Sequence, residues 1–320
     1  MKRFKKILLY AGGEVGPQPA MERATALARA NGARLTLVDV LPESPGPWLT
    51  VPGQADVESM LVATRRDELE ELAATVGDGI EVSTKVLTGS PFVELVREVL
   101  REEHDLIMKT AQGSGSPLGG ILGSTALHLM RKCPCPVWVV RPAREEPRGA
   151  VLAAIDPDPG DDGALALSQF VLELGSSLAK SRDAELHVVH AWWLWSEARL
   201  RGRRVNMASE AVDKMVDETR QAAEAAVAEI LEAVDFSGVK HHVHVVRGTP
   251  FEVVSSYAEQ VDVAVMGTLS RTGLAGVLIG NTAERILQRI DCSVLAVKPR
   301  GFETPIQLPA EAPDTGTWAP

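Results

Sequence analysis

The sequence predicts an α/β protein made of two similar domains, each a parallel β-sheet with helices on both faces. Short apolar segments alternate along the chain with longer segments of helical periodicity, which is the pattern of β-α-β units. Several apolar segments, such as VAVM at residues 263–266, do not alternate with polar residues, which is typical of strands buried on both faces. The whole order of segments also occurs twice.

The first half of the chain contains five predicted strands with helices between them. A helix over residues 21–30 ends at Asn31 and Gly32, a common C-terminal stop, and Pro91 suits the first turn of another helix. The segment 57–75 carries leucine and valine on one side, which predicts a long amphipathic helix. The strands are predicted at residues 7–10, 34–40, 80–87, 105–109 and 137–141, and the helices at 21–30, 57–75, 89–100 and 123–132.

The second half repeats this order. A long helix with a buried apolar stripe is predicted over residues 210–234, and the segment 192–208 before it is predicted to be a loop. Gly248-Thr249-Pro250 opens a further helix, as Gly89-Ser90-Pro91 does in the first half. The strands are predicted at residues 151–155, 184–190, 239–246, 263–266 and 294–298, and the other helices at 164–178 and from 280.

The two halves align without a gap over their last third. Asp262 lies 157 positions after Asp105 (262 − 105 = 157), and the same offset relates Gly123 to Gly280 and Cys135 to Cys292. A polar linker with Pro147 separates the halves. We therefore predict a first domain over residues 1–145, a second over 146–302, and a Pro-rich arm or tail over 303–320.

Composition limits the class of protein. The chain has 320 residues, enough for about two domains, and a formal net charge of −10 with a pI near 5.3, which argues against a nucleic-acid binder. Three cysteines suggest no disulfide framework and favour a reducing compartment. The apolar run at residues 7–11 is too short for a signal peptide, and no stretch is long enough to span a membrane. We expect a cytoplasmic protein.

The stretch from Gly267 to Thr282 has the features of a phosphate site. A buried strand ends at Gly267, a glycine-rich loop follows, and Gly280-Asn281-Thr282 opens a helix. Glycine at a helix N-terminus allows an anion to approach free backbone N–H groups, and the helix dipole favours negative charge there. The alternative, left open by these residues alone, is an ordinary strand-loop-helix connection.

The spacing Gly-x2-Gly-x9-Gly-[Ser/Thr], placed between a fourth strand and a last helix, resembles the nucleotide-binding signature of the universal stress protein family. Two copies resemble the tandem members of that family. The resemblance implies two Rossmann-like domains, each with five parallel strands in the order 3-2-1-4-5. It also implies ATP at the carboxyl ends of the strands, with adenosine held by an Asp after the first strand and by the second strand. The glycine loop and the Gly-Ser would hold the phosphates, which agrees with ligand binding at a topological switch point.

Neither copy carries the full signature. The second repeat keeps the Asp, at 156, and the first and last glycines, but has Ser270 at the second glycine and Asn281 at the hydroxyl position. The first repeat has Gly12 in place of the Asp and Thr110 at the first glycine, which predicts a degenerate site. We therefore expect ATP, with Mg²⁺, in the second repeat. The predicted site comprises Asp156, Val189, His190, Gly267, Ser270, Arg271, Gly280, Asn281 and Thr282.

Three other features have a functional and a plain interpretation. His242 and His244 share a strand face and could form a metal pair, but a solvated face is the plain interpretation. Cys133-x-Cys135 lacks a second pair, so structural thiols are favoured over zinc. Tryptophans at 192, 193 and 195 beside arginines at 199, 201, 203 and 204 could bind lipid, nucleotide or a protein, or could form a lid over the core.

We consider three functions. The first is a nucleotide-binding regulator, and the second is a module for a lipid-like or small apolar ligand or for protein interaction. The third, weak ATP hydrolysis, lacks an apparent general base. No P-loop lysine motif, Gly-x-Ser-x-Gly elbow or HExxH motif occurs. The fifth strands are edges that need covering, so we expect the repeats to pair as a pseudo-dimer, antiparallel as in the family, and two chains to form a homodimer.

Overall fold

The computed structural model describes residues 4–13, 16–43, 54–111, 123–205, 207–268 and 280–309. These residues form one continuous β-sheet of ten strands with helices on both faces. The strands of the first repeat are β1 Lys6–Tyr10, β2 Arg34–Leu41, β3 Val82–Thr88, β4 Leu106–Thr110 and β5 Val137–Val140. Those of the second are β6 Ala150–Ile155, β7 Glu185–Trp192, β8 His241–Arg247, β9 Val263–Gly267 and β10 Ser293–Val297.

The helices connect these strands in the predicted order. In the first repeat they are α1 Gln18–Asn31, α2 Gln54–Ala74, α3 Pro91–Glu102 and α4 Ser124–Lys132. In the second they are α5 Asp162–Arg182, α6 Glu197–Leu200, α7 Ser209–Glu232, α8 Pro250–Ala258 and α9 Asn281–Arg289. Local signals position several ends: α1 stops at Gly32 in the left-handed conformation (φ 56°), and α8 begins with a capping box between Thr249 and Glu252.

The strand order confirms the predicted fold. The sheet runs β3-β2-β1-β4-β5-β10-β9-β6-β7-β8, so each repeat has the order 3-2-1-4-5, and within each repeat the pairs are parallel. The second repeat is parallel in the same way. One apolar core lies on the side of α1, α2, α5 and α7, and another on the side of α3, α4, α8 and α9. Strands covered on both faces explain the non-alternating apolar segments.

The two repeats join through their fifth strands. β5 and β10 pair antiparallel, with Val139 opposite Val294 and Trp138 opposite Leu295. Arg131 of α4 pairs with Glu284 of α9 across this seam, and Arg141 pairs with Asp291 at 3.3 Å. The pairing covers two edges that would otherwise be open, as expected from the sequence.

The predicted loop over residues 192–208 needs correction. Trp192 still belongs to β7, opposite Arg247 of β8, because that register continues to the end of both strands. One helical turn, α6, then forms where the carbonyl of Ser196 accepts hydrogen bonds from the N–H groups of Arg199 and Leu200. The other element ends lie close to their predictions, as in β3, which begins at residue 82 rather than 80.

The chain after β10 returns to the first repeat. Ile306 packs against the core on the α3 side, and Arg97 of α3 donates from Nε to the carbonyl of Gln307 at 3.3 Å. The described part of the predicted tail is therefore an arm that contacts the other repeat. The domain boundaries at 145 and 302 stay predictions. Within the described ranges, no helix combines the length and the apolarity needed to cross a bilayer.

Candidate functional site at the carboxyl edge of the second repeat

Four predicted site residues meet at the carboxyl edge of the second repeat. Asp156 follows β6 directly, and His190 on β7 lies opposite Ile155, the last residue of β6. Gly267 ends β9, the other neighbour of β6, and Gly280 precedes α9. The edge lies between strands that leave β6 on opposite sides, which is the switch point of this topology.

Asp156 and His190 form the polar part of this edge. The imidazole Nδ1 of His190 lies 3.2 Å from the carbonyl of Ile155 and 3.9 Å from Oδ1 of Asp156. His190 is buried, whereas the Asp156 side chain is 51% exposed, so the carboxylate can accept a ligand hydroxyl at the surface. The Asp156 N–H donates to Ser168 Oγ at 3.2 Å, which fixes the turn after β6.

Val189 and Gly267 have packing roles at the same edge. The Val189 side chain is fully buried on the α8 side, so it shapes the floor of the site rather than its rim. A Cβ added to Gly267 would lie 2.7 Å from Cδ2 of Leu167, so a larger residue would force that leucine on α5 to move. This glycine is explained by close helix packing whether or not a ligand binds.

The N-terminus of α9 has no side-chain cap among the described residues. Gly280 is the N-cap, and no side chain of a described residue caps the helix. The Gly280 N–H donates to the Thr268 carbonyl at 3.3 Å, while Asn281 and Thr282 are exposed in the first turn. Backbone N–H groups and the helix dipole favour an anion there. Ser270 and Arg271, also predicted for this site, lie outside the described residues.

Sequence reasoning missed a buried lysine behind this edge. Lys298, just after β10, donates from Nζ to Thr268 Oγ1 at 2.6 Å and to the carbonyl of Met130 in the first repeat. Burial lowers its pKa to about 7, partly offset by nearby Cys133. The sequence held one indication of this role, because Arg141 stands at the equivalent position of the first repeat. Arg141 also donates across the seam, to the carbonyl of Ile290 at 3.3 Å.

The first repeat contains a pocket at the equivalent edge. Its volume is about 60 Å³, and it is lined by Gly12, Gly13, Lys109, Thr110, Gly123 and Ser124. Lys109 is buried, which lowers its pKa to about 8, and its Nζ donates to the Thr110 carbonyl at 2.6 Å. The hydroxyl of Thr110 is buried and has no hydrogen-bond partner among the described residues. Lys109 stands in the otherwise apolar strand segment LIMKT, and a lysine in such a segment indicates a buried amine.

In the first repeat, side chains occupy the edge at which the family resemblance implies adenosine. A Cβ on Gly12 would lie 2.0 Å from Oδ1 of Asp39, and Asp39 accepts a hydrogen bond from Arg65 Nε at 2.5 Å. Arg65 also donates from Nη2 to the Ala11 carbonyl at 3.2 Å. Burial and the nearby Asp39 charge raise the pKa of Tyr10 to about 12, so its phenol stays neutral.

The two repeats place their carboxylates on different strands. Tyr10 lies opposite Val38, and Ala154 lies opposite Val189, so Asp39 occupies the position that His190 has in the second repeat. The first repeat therefore has its acid on the second strand and lacks one after the first. This exchange was visible in the sequence once the strands were aligned, but the Arg65 contact from α2 was not.

Within the histidine cluster and within the cysteine pair identified in the sequence, the side chains lie within contact distance of one another. His187 of β7 joins His242 and His244 in a stack, with His187 Nδ1 3.1 Å from His244 Nε2. His242 Nε2 lies 3.0 Å from Glu185. Within the described ranges no group of three ligand side chains is placed to hold a metal. The sulfurs of Cys133 and Cys135 are 3.4 Å apart, and all three cysteines are buried thiols.

Comparison with known sequences gives a family for both repeats. The model of the universal stress protein family matches residues 3–141 and 148–298. Universal stress protein E of Escherichia coli K12 is 26% identical over 324 residues, which covers 98% of this chain and all of that protein. Its homolog in Haemophilus influenzae is 24% identical over 312 residues, covering 93% of this chain and 98% of that one.

Comparison with solved structures gives the same fold over both repeats. A putative universal stress protein from Pseudomonas aeruginosa UCBPP-PA14 is 25% identical with a TM-score of 0.65, covering 93% of this chain and 94% of that chain. A universal stress protein from Archaeoglobus fulgidus, at 19% identity, has a TM-score of 0.62 and covers 92% and 96%. The similarity therefore extends to the tandem arrangement and is not confined to one repeat.

Proposed function

The chain belongs to the universal stress protein family, with two family domains in tandem, and from this premise we propose that it is a cytoplasmic stress-response regulator whose second domain binds ATP or another adenine nucleotide. The observation that carries the proposal is that an exposed carboxylate, Asp156, and a helix N-terminus that no described side chain caps, at Gly280, lie on one sheet edge. The carboxylate suits the ribose hydroxyls, and the backbone N–H groups of α9 suit the phosphates. Mg²⁺ would accompany the phosphates.

The arrangement fits a regulator better than an enzyme. Among the described residues, the first turn of α9 offers a glycine, an amide and a hydroxyl, and His190 is buried against a backbone carbonyl. A hydrolase would need a base within hydrogen-bond reach of a water that attacks the phosphate. If the nucleotide binds without being hydrolysed, the fraction of the protein in the bound state follows the nucleotide concentration.

Replacing Asp156 by alanine is expected to weaken ATP binding at least tenfold, because a charge-assisted hydrogen bond to a hydroxyl is worth about 1.5–3 kcal/mol. The measurement is equilibrium binding of a fluorescent ATP analogue to the purified full chain with Mg²⁺ present. Asp217→Ala is the matched control, since it removes an equally charged side chain from an exposed part of α7, where Asp217 lies 3.8 Å from Arg220.

Two results would count against the nucleotide proposal. If the wild-type chain shows no saturable binding, the site does not take ATP. If Asp156→Ala binds as well as Asp217→Ala, the nucleotide lies elsewhere. In either case, identifying the molecules that copurify with the chain tests the alternative, a lipid-like or small apolar ligand.

We propose a second, different role for the first repeat: it binds a small tetrahedral oxyanion rather than a nucleotide. The pocket at the carboxyl edge of this repeat places Lys109 and Thr110 beside Gly12 and Gly123, where a small anion can approach. Lys109 and Thr110 both line it, and the Thr110 hydroxyl has no hydrogen-bond partner among the described residues. The Asp39–Arg65 pair occupies the adenosine side.

Sulfate binding to the first repeat is expected to fall about tenfold between pH 7 and pH 9. Lys109 has a pKa of about 8, so its charge is present at the lower pH and largely lost at the higher one, whereas sulfate keeps its charge throughout. Isothermal titration calorimetry on the full chain measures this. Lys109→Met should abolish binding and Lys240→Met, at an exposed lysine, should not. A pH-independent affinity in the wild type would rule out Lys109 as the ligand.

The homodimer expected from the sequence stays a prediction. Its best candidate surface is the exposed apolar face of α2, where Val57, Met60 and Leu61 lie at helical spacing and are each at least half exposed. Sedimentation velocity of the wild type and of Met60→Glu tests it, since a buried charge at that position would prevent association.

A further inference from the structure

The segment after β7 exposes large apolar side chains beside arginines. We call residues 193–208 the Trp–Arg segment; all of them except Asn206 are described. Trp192 before it is buried in the core, but Trp193 is 43% exposed and Trp195 is 75% exposed. Val205 and Met207 are also exposed. The tryptophans therefore do not all cover the core, and two indoles point an apolar surface at the solvent.

The segment folds back on itself, so these groups lie close together. The Met207 N–H donates to the Leu200 carbonyl at 3.2 Å, and the Val205 N–H donates to the Gly202 carbonyl at 3.2 Å. Glu197 of α6 ties the segment to the sheet through Arg247. It also pairs with Arg201, which ties the segment to α7 through Asp213 at 2.5 Å. Exposed apolar groups are thus held on an ordered turn rather than on a frayed end.

The local charge is opposite to that of the chain. The segment carries four arginines and one glutamate, a net charge of +3 (4 − 1 = 3), in a chain of net charge −10. The one glutamate, Glu197, is paired with two arginines, and these contacts lower its pKa. Arg199, Arg203 and Arg204 are exposed, and within the described part of the chain they make no ion pair or side-chain hydrogen bond. Three guanidinium groups are therefore available for an external anion.

We propose that the Trp–Arg segment binds an anionic phospholipid surface. Indole rings settle at the boundary between headgroups and acyl chains, where the ring meets apolar material and its N–H stays near polar groups. Guanidinium groups bind phosphate oxygens in a bidentate manner, and each cation near an anionic leaflet strengthens binding roughly fivefold. The occupant is a lipid surface rather than a folded acidic protein because the apolar groups lie on an irregular turn, which a fluid surface accommodates without shape complementarity.

The proposal is independent of the nucleotide site but has a geometric link to it. The segment starts directly after β7, three residues beyond His190, at the same carboxyl edge of the second repeat. Outside the segment the chain has a net charge of −13 (−10 − 3 = −13), which anionic lipid repels, so we expect the segment to face the membrane. Salt should therefore weaken binding strongly.

The test is cosedimentation of the full chain with vesicles. Equal mixtures of phosphatidylcholine and phosphatidylglycerol should bind the wild type, and pure phosphatidylcholine should not. The double change Arg203→Gln and Arg204→Gln should weaken binding roughly 25-fold, because two cations are lost. Trp195→Ser should weaken it roughly tenfold through the lost apolar contact.

The control variant changes two exposed arginines elsewhere, Arg66→Gln on α2 and Arg289→Gln on α9, and should bind as the wild type does. Near-UV circular dichroism checks that each variant is folded. The proposal is overturned if the wild type does not bind anionic vesicles, if it binds both lipid mixtures equally, or if the Arg203 and Arg204 double variant binds as tightly as the wild type. Binding to polyglutamate without binding to vesicles would assign the surface to an acidic polypeptide and would also overturn it.

Discussion

Replacing Leu295 by alanine is expected to lower the free energy of unfolding by about 3 kcal/mol, and replacing Trp138 by alanine by about 4 kcal/mol. Both side chains are buried, and they face each other across the antiparallel seam between β5 and β10. The stability loss of the double variant should be smaller than the sum of the two single losses, by about 0.5 kcal/mol or more, because each residue packs against the other. Urea unfolding followed by far-UV circular dichroism measures all four proteins.

Leu8→Ala provides the matched control for this cycle. Leu8 is equally buried but lies in β1, and it belongs to the core on the opposite side of the sheet from Leu295. Its loss should add to that of Leu295 within about 0.5 kcal/mol, since the two sites share no packing partner. Additive losses for Trp138 and Leu295, or a loss below about 1 kcal/mol for either, would show that the seam contributes little to stability.

The seam has this importance because it turns two open sheets into one. Each repeat alone would leave its fifth strand with unpaired backbone groups on an apolar edge. Antiparallel pairing satisfies both edges at once, and the charged pairs Arg131–Glu284 and Arg144–Asp291 lie at its margins. Polar contacts on the rim specify the register, while the buried strands supply the stability.

The fold was predictable from the sequence because its information is local and repeated. Apolar segments of strand length, the Gly32 stop and the prolines at 91 and 250 each act within a few residues. The family resemblance then supplied the order of strands, which periodicity alone does not give. Among the described elements, the prediction lacked α6. This single turn is held by contacts of Glu197 with Arg201 and with Arg247, and Arg247 belongs to β8.

The candidate site was predictable only in part, because long-range contacts decide its contents. The sequence indicated Asp156, His190 and Gly280, whose places follow from strand and helix ends. It did not show that Arg65 pairs with Asp39, which lies 26 residues earlier in the chain, and so occupies the corresponding edge of the first repeat. It also did not show which lysines are buried, since Lys109 and Lys298 differ from surface lysines only in what packs around them.

Lys298 has the larger energetic consequence of these two lysines. Its ammonium lies between the repeats, where it donates to Thr268 and to the Met130 carbonyl. Removing water from the charged form lowers its pKa from 10.5 to about 7. In the unfolded chain the pKa is near the ordinary lysine value, so between these two pH values the unfolded state binds more protons than the folded state.

The contribution of Lys298 to stability should therefore increase with pH. Below about pH 7 the group is charged in both states and its full desolvation cost is present; as pH rises above that value the folded state loses the proton and the cost declines. Relative to the wild type, Lys298→Met is expected to be more stable by about 2 kcal/mol at pH 6 and to lose most of that advantage by pH 9. Thermal and urea unfolding at a series of pH values measure the difference.

Methionine suits this test because it is unbranched, apolar and only one atom shorter than lysine, and Thr268 Oγ1 retains the Val297 carbonyl at 3.3 Å as a partner. Lys240→Met, at an exposed lysine paired with Glu185, should leave the pH dependence as it is in the wild type. If Lys298→Met is instead less stable than the wild type at pH 6, the hydrogen bonds to Met130 and Thr268 outweigh the desolvation cost. The lysine would then stabilise the contact between the repeats, and the stability of the seam would depend on its charge.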